Sequence, residues 1–307
     1  MRKGIPVILV TFVMVAVAPT AALGLQIGIG DNNAKMFASP YYQALHTKIA
    51  RYVAPYDVAD QPRDLAAVNA WITAAEAQNE QPLIAFYHSR SRPNQLPSVT
   101  RYTIEVKRFI ALHPQISVYS AWNEANRVRG AVTGEGSFRA PNPIQAAGFY
   151  VALKNACPRC TIVGLDVLDS TNIASTIRYI RQFQRAARGK LPTVWGLHNY
   201  SDTNRFRSTG TKAVLAAVRG QVWLTETGGV VHFGSEFPNR RGSGLKRARK
   251  ALTYMFKLAA SNRRIARLYV FDWYGGSSSA RFDAGLMSPS GRPRPGYAIV
   301  RRHLRGF

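Results

Sequence analysis

The chain has 307 residues, of which 41 are Lys or Arg and 16 are Asp or Glu, giving a formal charge of +25. A hydrophobic content of 46% excludes wholesale disorder, and the length suits one large domain or two small ones. The charge favours anionic neighbours such as acidic polysaccharide, teichoic-type polymer, nucleic acid or anionic lipid, but the basic residues are scattered, so most of them read as solvated faces.

In chain order, MRKGIPVILVTFVMVAVAPTAALG comes first: Arg2 and Lys3, an apolar run from Ile5 to Ala18, then small residues. That layout predicts a secretory signal over residues 1–24, followed by a domain over 25–307. An uncleaved anchor is the weaker reading, because the run is short for a full span and LQIGIG follows with no linker. No second segment is apolar enough to cross a membrane, so the expectation is an exported or cell-envelope protein with no stable membrane insertion.

Beyond it, apolar β-branched runs alternate with helical periodicity. Strands are predicted at 25–30, 50–58, 82–89, 116–124, 161–169, 193–201, 221–229 and 265–276. Helices are predicted around 41–49, along the face of Leu65, Val68, Trp71, Ile72 and Ala75, along that of Val99, Tyr102, Val106, Phe109 and Ile110, and then around 143–156, 173–188, 211–218, 245–261 and 296–304. The strands are continuous apolar runs, which means burial on both faces and a parallel sheet covered by helices. Eight such units predict a single-domain (β/α)8 barrel, an α/β fold of the TIM type. A doubly wound open sheet would normally carry a Gly-rich first turn, and GIGDNNAKMF offers only Gly28 and Gly30. The two cysteines, Cys157 and Cys160, are too few for a zinc site and close a helix rather than opening one. In an oxidising compartment they are expected to form a local disulfide.

In such a barrel the C-terminal strand ends converge on one mouth, where chemistry is expected. The polar residues predicted there are Asp31, Asn32, Asp57, His88, Asn123, Glu124, Asp166, Asp169, His198, Asn199, Tyr200, Glu226, Asp272 and Trp273. Only seven glutamates exist. Glu76, Glu80 and Glu105 fall in helical patterns and are expected to be solvated, while Glu135 and Glu236 fall in loops. That leaves Glu124 and Glu226, ending the predicted fourth and seventh strands on opposite sides of the mouth. The plain alternative is that each acid merely pairs with a rim arginine.

WNEAN, LTETGG, HNY and FDWYG, on the predicted fourth, seventh, sixth and eighth strands, together resemble the retaining glycoside hydrolases of clan A, the cellulase-like (β/α)8 superfamily. The resemblance spans the domain in architecture but in residues only these short motifs. It implies Glu124 as acid/base, Glu226 as nucleophile and Asn123 as donor to a sugar 2-hydroxyl. It further implies Tyr200 as hydrogen-bond partner of the nucleophile, Arg51 as the arginine that orients it and Trp273 as a subsite floor, with His88 and His198 matching less closely. Retention requires two carboxyl groups about 5–5.5 Å apart. The acid must hold its proton, which burial beside Trp122 would favour. Trp122 and Trp273 read equally as sugar-stacking platforms or as core. The segment NRVRGAVTGEGSFRAPNP (126–143) either walls a substrate cleft, with Arg127, Arg129 and Arg139 suited to an anionic glycan, or is a plain connecting loop. Arg178, Arg181, Arg185 and Arg188 hint at a second basic surface.

The expectation is therefore a secreted, monomeric glycosidase acting on β-linked glycan within the chain, with carbohydrate, possibly anionic, as its partner. It needs no cofactor and no metal. The rival is a non-catalytic barrel that binds anionic cell-envelope polysaccharide. Specific nucleic-acid recognition has no reading motif and no aromatic–basic stripe behind it.

Overall fold

The computed structural model describes residues 24–127, 139–277 and 279–305. The predicted signal segment other than Gly24, and residues 128–138 of the basic loop with Arg129 and Glu135, lie outside the described residues.

Strands β1 (Gln26–Gly30), β2 (Ile49–Pro55), β3 (Gln81–Tyr87), β4 (Val118–Ser120), β5 (Thr161–Leu168), β6 (Val194–His198) and β7 (Gln221–Thr227) pair in parallel and in sequence. After a two-residue strand, β8 (His232–Phe233), strand β9 (Ile265–Phe271) closes the barrel by pairing with both β7 and β1. The short β10 (Phe282–Asp283) pairs antiparallel with β8 beside the barrel. The helices are α1 (Pro40–Gln43), α2 (Pro62–Ala77), α3 (Val99–Leu112), α4 (Pro143–Ala156), α5 (Ile173–Ala186), α6 (Tyr200–Asn204), α7 (Thr209–Ala217), α8 (Ser243–Ala260) and α9 (Pro295–Arg305). The architecture is the (β/α)8 barrel that the alternation predicts. No described helix is long and apolar enough to cross a membrane.

Two apolar layers hold it together. Inside the barrel, Ile49, Leu83, Val118, Val163, Val194, Trp223 and Tyr269 form a floor. Outside, the other faces of the strands pack on the helices through residues such as Val68, Trp71 and Ile72 of α2 and Tyr102, Val106 and Phe109 of α3. Helix starts carry local reasons: Ser98 caps α3 through Arg101 N, and Asn142 with Gln145 forms a reciprocal capping box on α4. Cys157 and Cys160 are bonded to each other just after α4, with Cα atoms 5.3 Å apart. Arg178, Arg181 and Arg185 lie exposed on the outer face of α5.

Several expectations change, among them the eighth predicted strand, which stops at Phe271 instead of running to 276. The first helix stops at Gln43 instead of running to 49, because His46 adopts a left-handed backbone (φ 53°) that no α-helix continues through. The fourth strand stops at Ser120, and Glu124 lies in the turn beyond it. The sixth stops at His198, so Tyr200 opens α6 instead of ending a strand. Glu80 and Glu105 are buried instead of solvated: Glu80 accepts from Tyr42 Oη (2.8 Å) and Thr47 Oγ1 (2.7 Å), and Glu105 pairs with Arg101 at 2.6 Å.

Candidate active site

Side chains on one strand face recur every second residue. Two residues on from the floor members Ile49, Val118 and Tyr269 come Arg51, Ser120 and Phe271, which form the next inward layer toward the mouth. Strict alternation would turn Asp166 and Glu226 away from this layer. Two bulges bring them back. On β5 the pairing with β6 slips between Val163 and Asp166, so three residues advance against two. On β7 it slips against both neighbours: Gly196 faces Trp223 but His198 faces Glu226, and Leu224 faces Leu268 but Thr227 faces Val270. An extra residue in one strand re-aims every side chain after it. As a result Thr225 and Glu226 both reach the interior, and Thr225 Oγ1 donates to Asp166 Oδ1 at 2.5 Å. Gly196 makes room, since a Cβ there would lie 2.3 Å from Asp166 Oδ1.

Glu124 arrives by another route. It holds a left-handed backbone (φ 46°), which costs a non-glycine residue about 1–3 kcal/mol. Flanking hydrogen bonds fix it there, from Asn123 N to Phe86 O (2.7 Å) and from Ala125 N to Asp166 O (2.9 Å).

These residues form one connected cluster. Arg51 Nη1 donates to Glu226 Oε2 at 2.8 Å, and its Nη2 donates to Asn123 Oδ1 at 2.5 Å. Tyr200 Oη donates to Glu226 Oε1 at 3.1 Å, so each oxygen of Glu226 has one donor. Glu124 Oε1 lies 3.0 Å from His198 Nδ1, and Oε2 accepts from Arg127 Nη1 at 3.0 Å. His198 Nε2 lies 3.3 Å from Asp166 Oδ1. Carboxylate oxygens of Glu124 and Glu226 and a ring nitrogen of His198 all fall within 4.8 Å of one another.

The electrostatics follow from that arrangement. Burial alone would lower the pKa of His198, but the charges of Asp166 and Glu226, with hydrogen bonds to Asp166 and Glu124, raise it to about 10. Burial alone would raise Glu124, yet the hydrogen bond and charge of His198, aided by Arg127, hold it below the usual carboxylate value. Asp166 is likewise brought down against burial by His198, Arg51 and Thr225. Burial and then Glu226 push Tyr200 well above the ordinary phenol, so it donates at all working pH values. These opposite directions favour the proton of the Glu124–His198 pair on His198 at neutral pH.

Of the other expected site residues, His88 is half-buried beyond β3, its Nδ1 3.1 Å from Ser89 O. Both tryptophans are core. Trp122 stacks on Phe149 at 5.0 Å, and Trp273 packs edge-on against Tyr42 at 5.2 Å. The ring on the inward face of β9 is instead the half-buried Phe271, which the sequence pattern did not single out. Arg127, read from sequence as a loop cation for a glycan, is buried against Glu124, with Tyr87 Oη 3.3 Å away. Asp166 was legible only as one strand-end acid among several. Its inward aim depends on a bulge that period-2 reading does not reveal.

Glu124, His198 and Glu226 are close enough to ligate a metal ion. The fit is poor, because Arg51, Arg127 and the proton on His198 already occupy the lone pairs that a cation would need.

By sequence, no family model and no curated protein matches the chain. By structure, it is similar to xylanase 10B from Thermotoga maritima, with TM-score 0.61 and 14% identity over 93% of this chain and 96% of that one. It is also similar to a fungal β-1,4-galactanase, with TM-score 0.61 and 13% identity over 90% and 99%. A family 39 glycoside hydrolase from the gut symbiont Bacteroides cellulosilyticus gives TM-score 0.59 and 13% identity over 92% of this chain, which spans 63% of that protein. At these identities the likeness is one of fold.

Proposed function

We propose that the protein is a retaining glycoside hydrolase, with Glu226 as nucleophile and Glu124 as acid/base. One observation carries this: carboxylate oxygens of Glu124 and Glu226 brought within 4.8 Å of each other at the mouth of a (β/α)8 barrel. That spacing suits a double displacement, where the nucleophile attacks the anomeric carbon while the other group protonates the leaving oxygen. The barrel neighbours described as xylanase, galactanase and glycoside hydrolase favour the same chemistry.

In the first step Glu226, aimed by Arg51 and Tyr200, forms a bond to the anomeric carbon. The bond to the leaving oxygen breaks, and that oxygen takes a proton from Glu124. The proton comes from His198 Nδ1 across the 3.0 Å contact to Glu124 Oε1. In the second step ionised Glu124 takes a proton from water, the hydroxide displaces Glu226, and the proton returns to His198. Asn123, fixed by Arg51, offers its amide N–H to a sugar hydroxyl, and Phe271 offers an apolar face.

The finer reading is an exported enzyme acting within β-linked chains, supported by the signal-like N-terminus and the resemblance of the strand-end motifs. Reducing-end release over a panel of plant and bacterial glycans tests it, with Glu226→Gln and Glu124→Gln as controls. Release that both substitutions abolish, with binding retained, supports catalysis. Binding without release in the unaltered protein would favour the non-catalytic barrel.

A further inference from the structure

Away from the mouth, a groove of about 680 Å³ runs between α8 and the start of α9 and is lined by Lys246, Arg249, Lys250, Thr253 and Pro295. We propose that this groove is a secondary binding site for acidic polysaccharide, gripping the polymer outside the catalytic cleft.

The lining of α8 is a single face: positions 246, 249, 250 and 253 are spaced i, i+3, i+4 and i+7. At 1.5 Å per residue it extends about 10 Å along the helix. All four side chains are exposed, and among the described residues no carboxylate pairs with Lys246, Arg249 or Lys250. Arg247, one residue on from Lys246, instead turns inward to Val231 O at 2.9 Å. Neither α8 nor α9 contains an acid, and α9 adds Arg301, Arg302 and Arg305. The two helices pack tightly beneath the groove, where a Cβ on Gly296 would meet Leu252 at 2.6 Å, so the cations stand on a rigid base.

Three unpaired cations along one line suit anions repeated along a chain more than a single small ion. Arg249 adds a planar fork that matches a carboxylate or sulfate. Position favours a glycan: barrel helices run antiparallel to their strands, so the starts of α8 and α9 lie at the mouth end. The near end of the groove therefore lies at the same end of the barrel as the candidate site. The choice of polymer rests on the glycan-cleaving reading, but the binding itself requires no turnover.

The test uses the whole protein and measures affinity for polygalacturonate and dextran sulfate at low and moderate NaCl. One variant is Lys246→Gln with Arg249→Gln and Lys250→Gln. A charge-matched control is Arg178→Gln with Arg181→Gln and Arg185→Gln on α5. All six residues are exposed, so folding is preserved, which circular dichroism verifies. The α8 variant is expected to lose about tenfold in affinity and much of its salt dependence, while the control loses less than about twofold. Preference for polygalacturonate or for dextran sulfate assigns the anion as carboxylate or sulfate. Hydrolysis of a short neutral oligosaccharide should be unchanged, and in a protein with no hydrolytic activity the binding result would still stand. Equal losses in both variants, no loss in the α8 variant, or a loss seen only with duplex DNA or phosphatidylserine vesicles would overturn the proposal.

Discussion

His198 Nδ1 lies 3.0 Å from Glu124 Oε1, and the surrounding charges favour the proton of that pair on the imidazole. A lone catalytic carboxylic acid keeps its proton because burial raises its pKa. Here two cationic groups reverse the effect of burial on Glu124, and the histidine stores the proton instead.

A pH profile exposes this arrangement. Hydrolysis needs the shared proton, so kcat/KM should stay level through neutrality and fall as pH rises through about 10, where His198 loses it. In His198→Asn, Glu124 must hold the proton itself, and the alkaline limb should move down to the acid or neutral range. The rate at neutral pH should fall by roughly 100-fold. A limb unmoved by the substitution would remove His198 from the proton path.

Arg51 is buried at 1% exposure and compensates both Glu226 and Asp166, at 2.8 and 3.7 Å. Arg51→Met removes the cation bonded to Glu226 and leaves Asp166 with His198 alone, which should cost about 3–5 kcal/mol and lower the melting temperature by roughly 10 °C. Arg51→Lys keeps the charge but cannot reach Glu226 and Asn123 together. It should melt closer to the parent yet lose at least about tenfold in kcat. Thermal melts and steady-state kinetics separate the two effects.

Gly196→Ala would place a methyl group 2.3 Å from Asp166 Oδ1 and 2.9 Å from Thr225 Oγ1. The crowding should cost about 1–3 kcal/mol. It should also loosen the contact between Asp166 and His198, so the alkaline limb should fall below about 10. A stability loss with an unchanged limb would mean that Asp166 does not set the histidine.

Glu80 gives a pH signature of stability independent of the mouth. Burial, partly offset by Thr47 and Tyr42, raises its pKa from 4.5 to about 7. A carboxyl raised on folding favours the folded state fully only below its unfolded value. That advantage is lost as pH rises, and above about 7 the burial of the charge costs on the order of 3 kcal/mol. Glu80→Gln should remove the decline in stability between about pH 4.5 and 7, leaving denaturation midpoints at pH 8 above those of the parent.

The barrel was legible because continuous apolar runs separated by amphipathic segments leave few alternatives, and Glu124 and Glu226 stood out because acids are scarce. Details of aim were not. Ala121 and Trp122, just past the end of β4, are still apolar, so sequence gives no sign that the chain leaves the strand at Ser120 and turns at Glu124 with φ 46°. Asp166 and Glu226 face inward only because β5 and β7 each carry an extra residue, and a bulge leaves no mark in an apolar run. Glu80 and Glu105 looked solvated because helical periodicity does not show a neighbouring Tyr42 or Arg101 from elsewhere in the fold or one turn away. Trp273 looked like a platform by its place in a motif, but the packing of Tyr42 encloses it.

The central claim is that Glu226 attacks the sugar while Glu124 serves the leaving group. Incubation with 2-deoxy-2-fluoro glycosides bearing an activated leaving group, followed by peptide mass spectrometry, tests it directly. A covalent sugar on Glu226, formed more slowly in Arg51→Lys and absent in Glu226→Gln, is the expected result. A label on any other residue, or product released with inverted anomeric configuration, would contradict it.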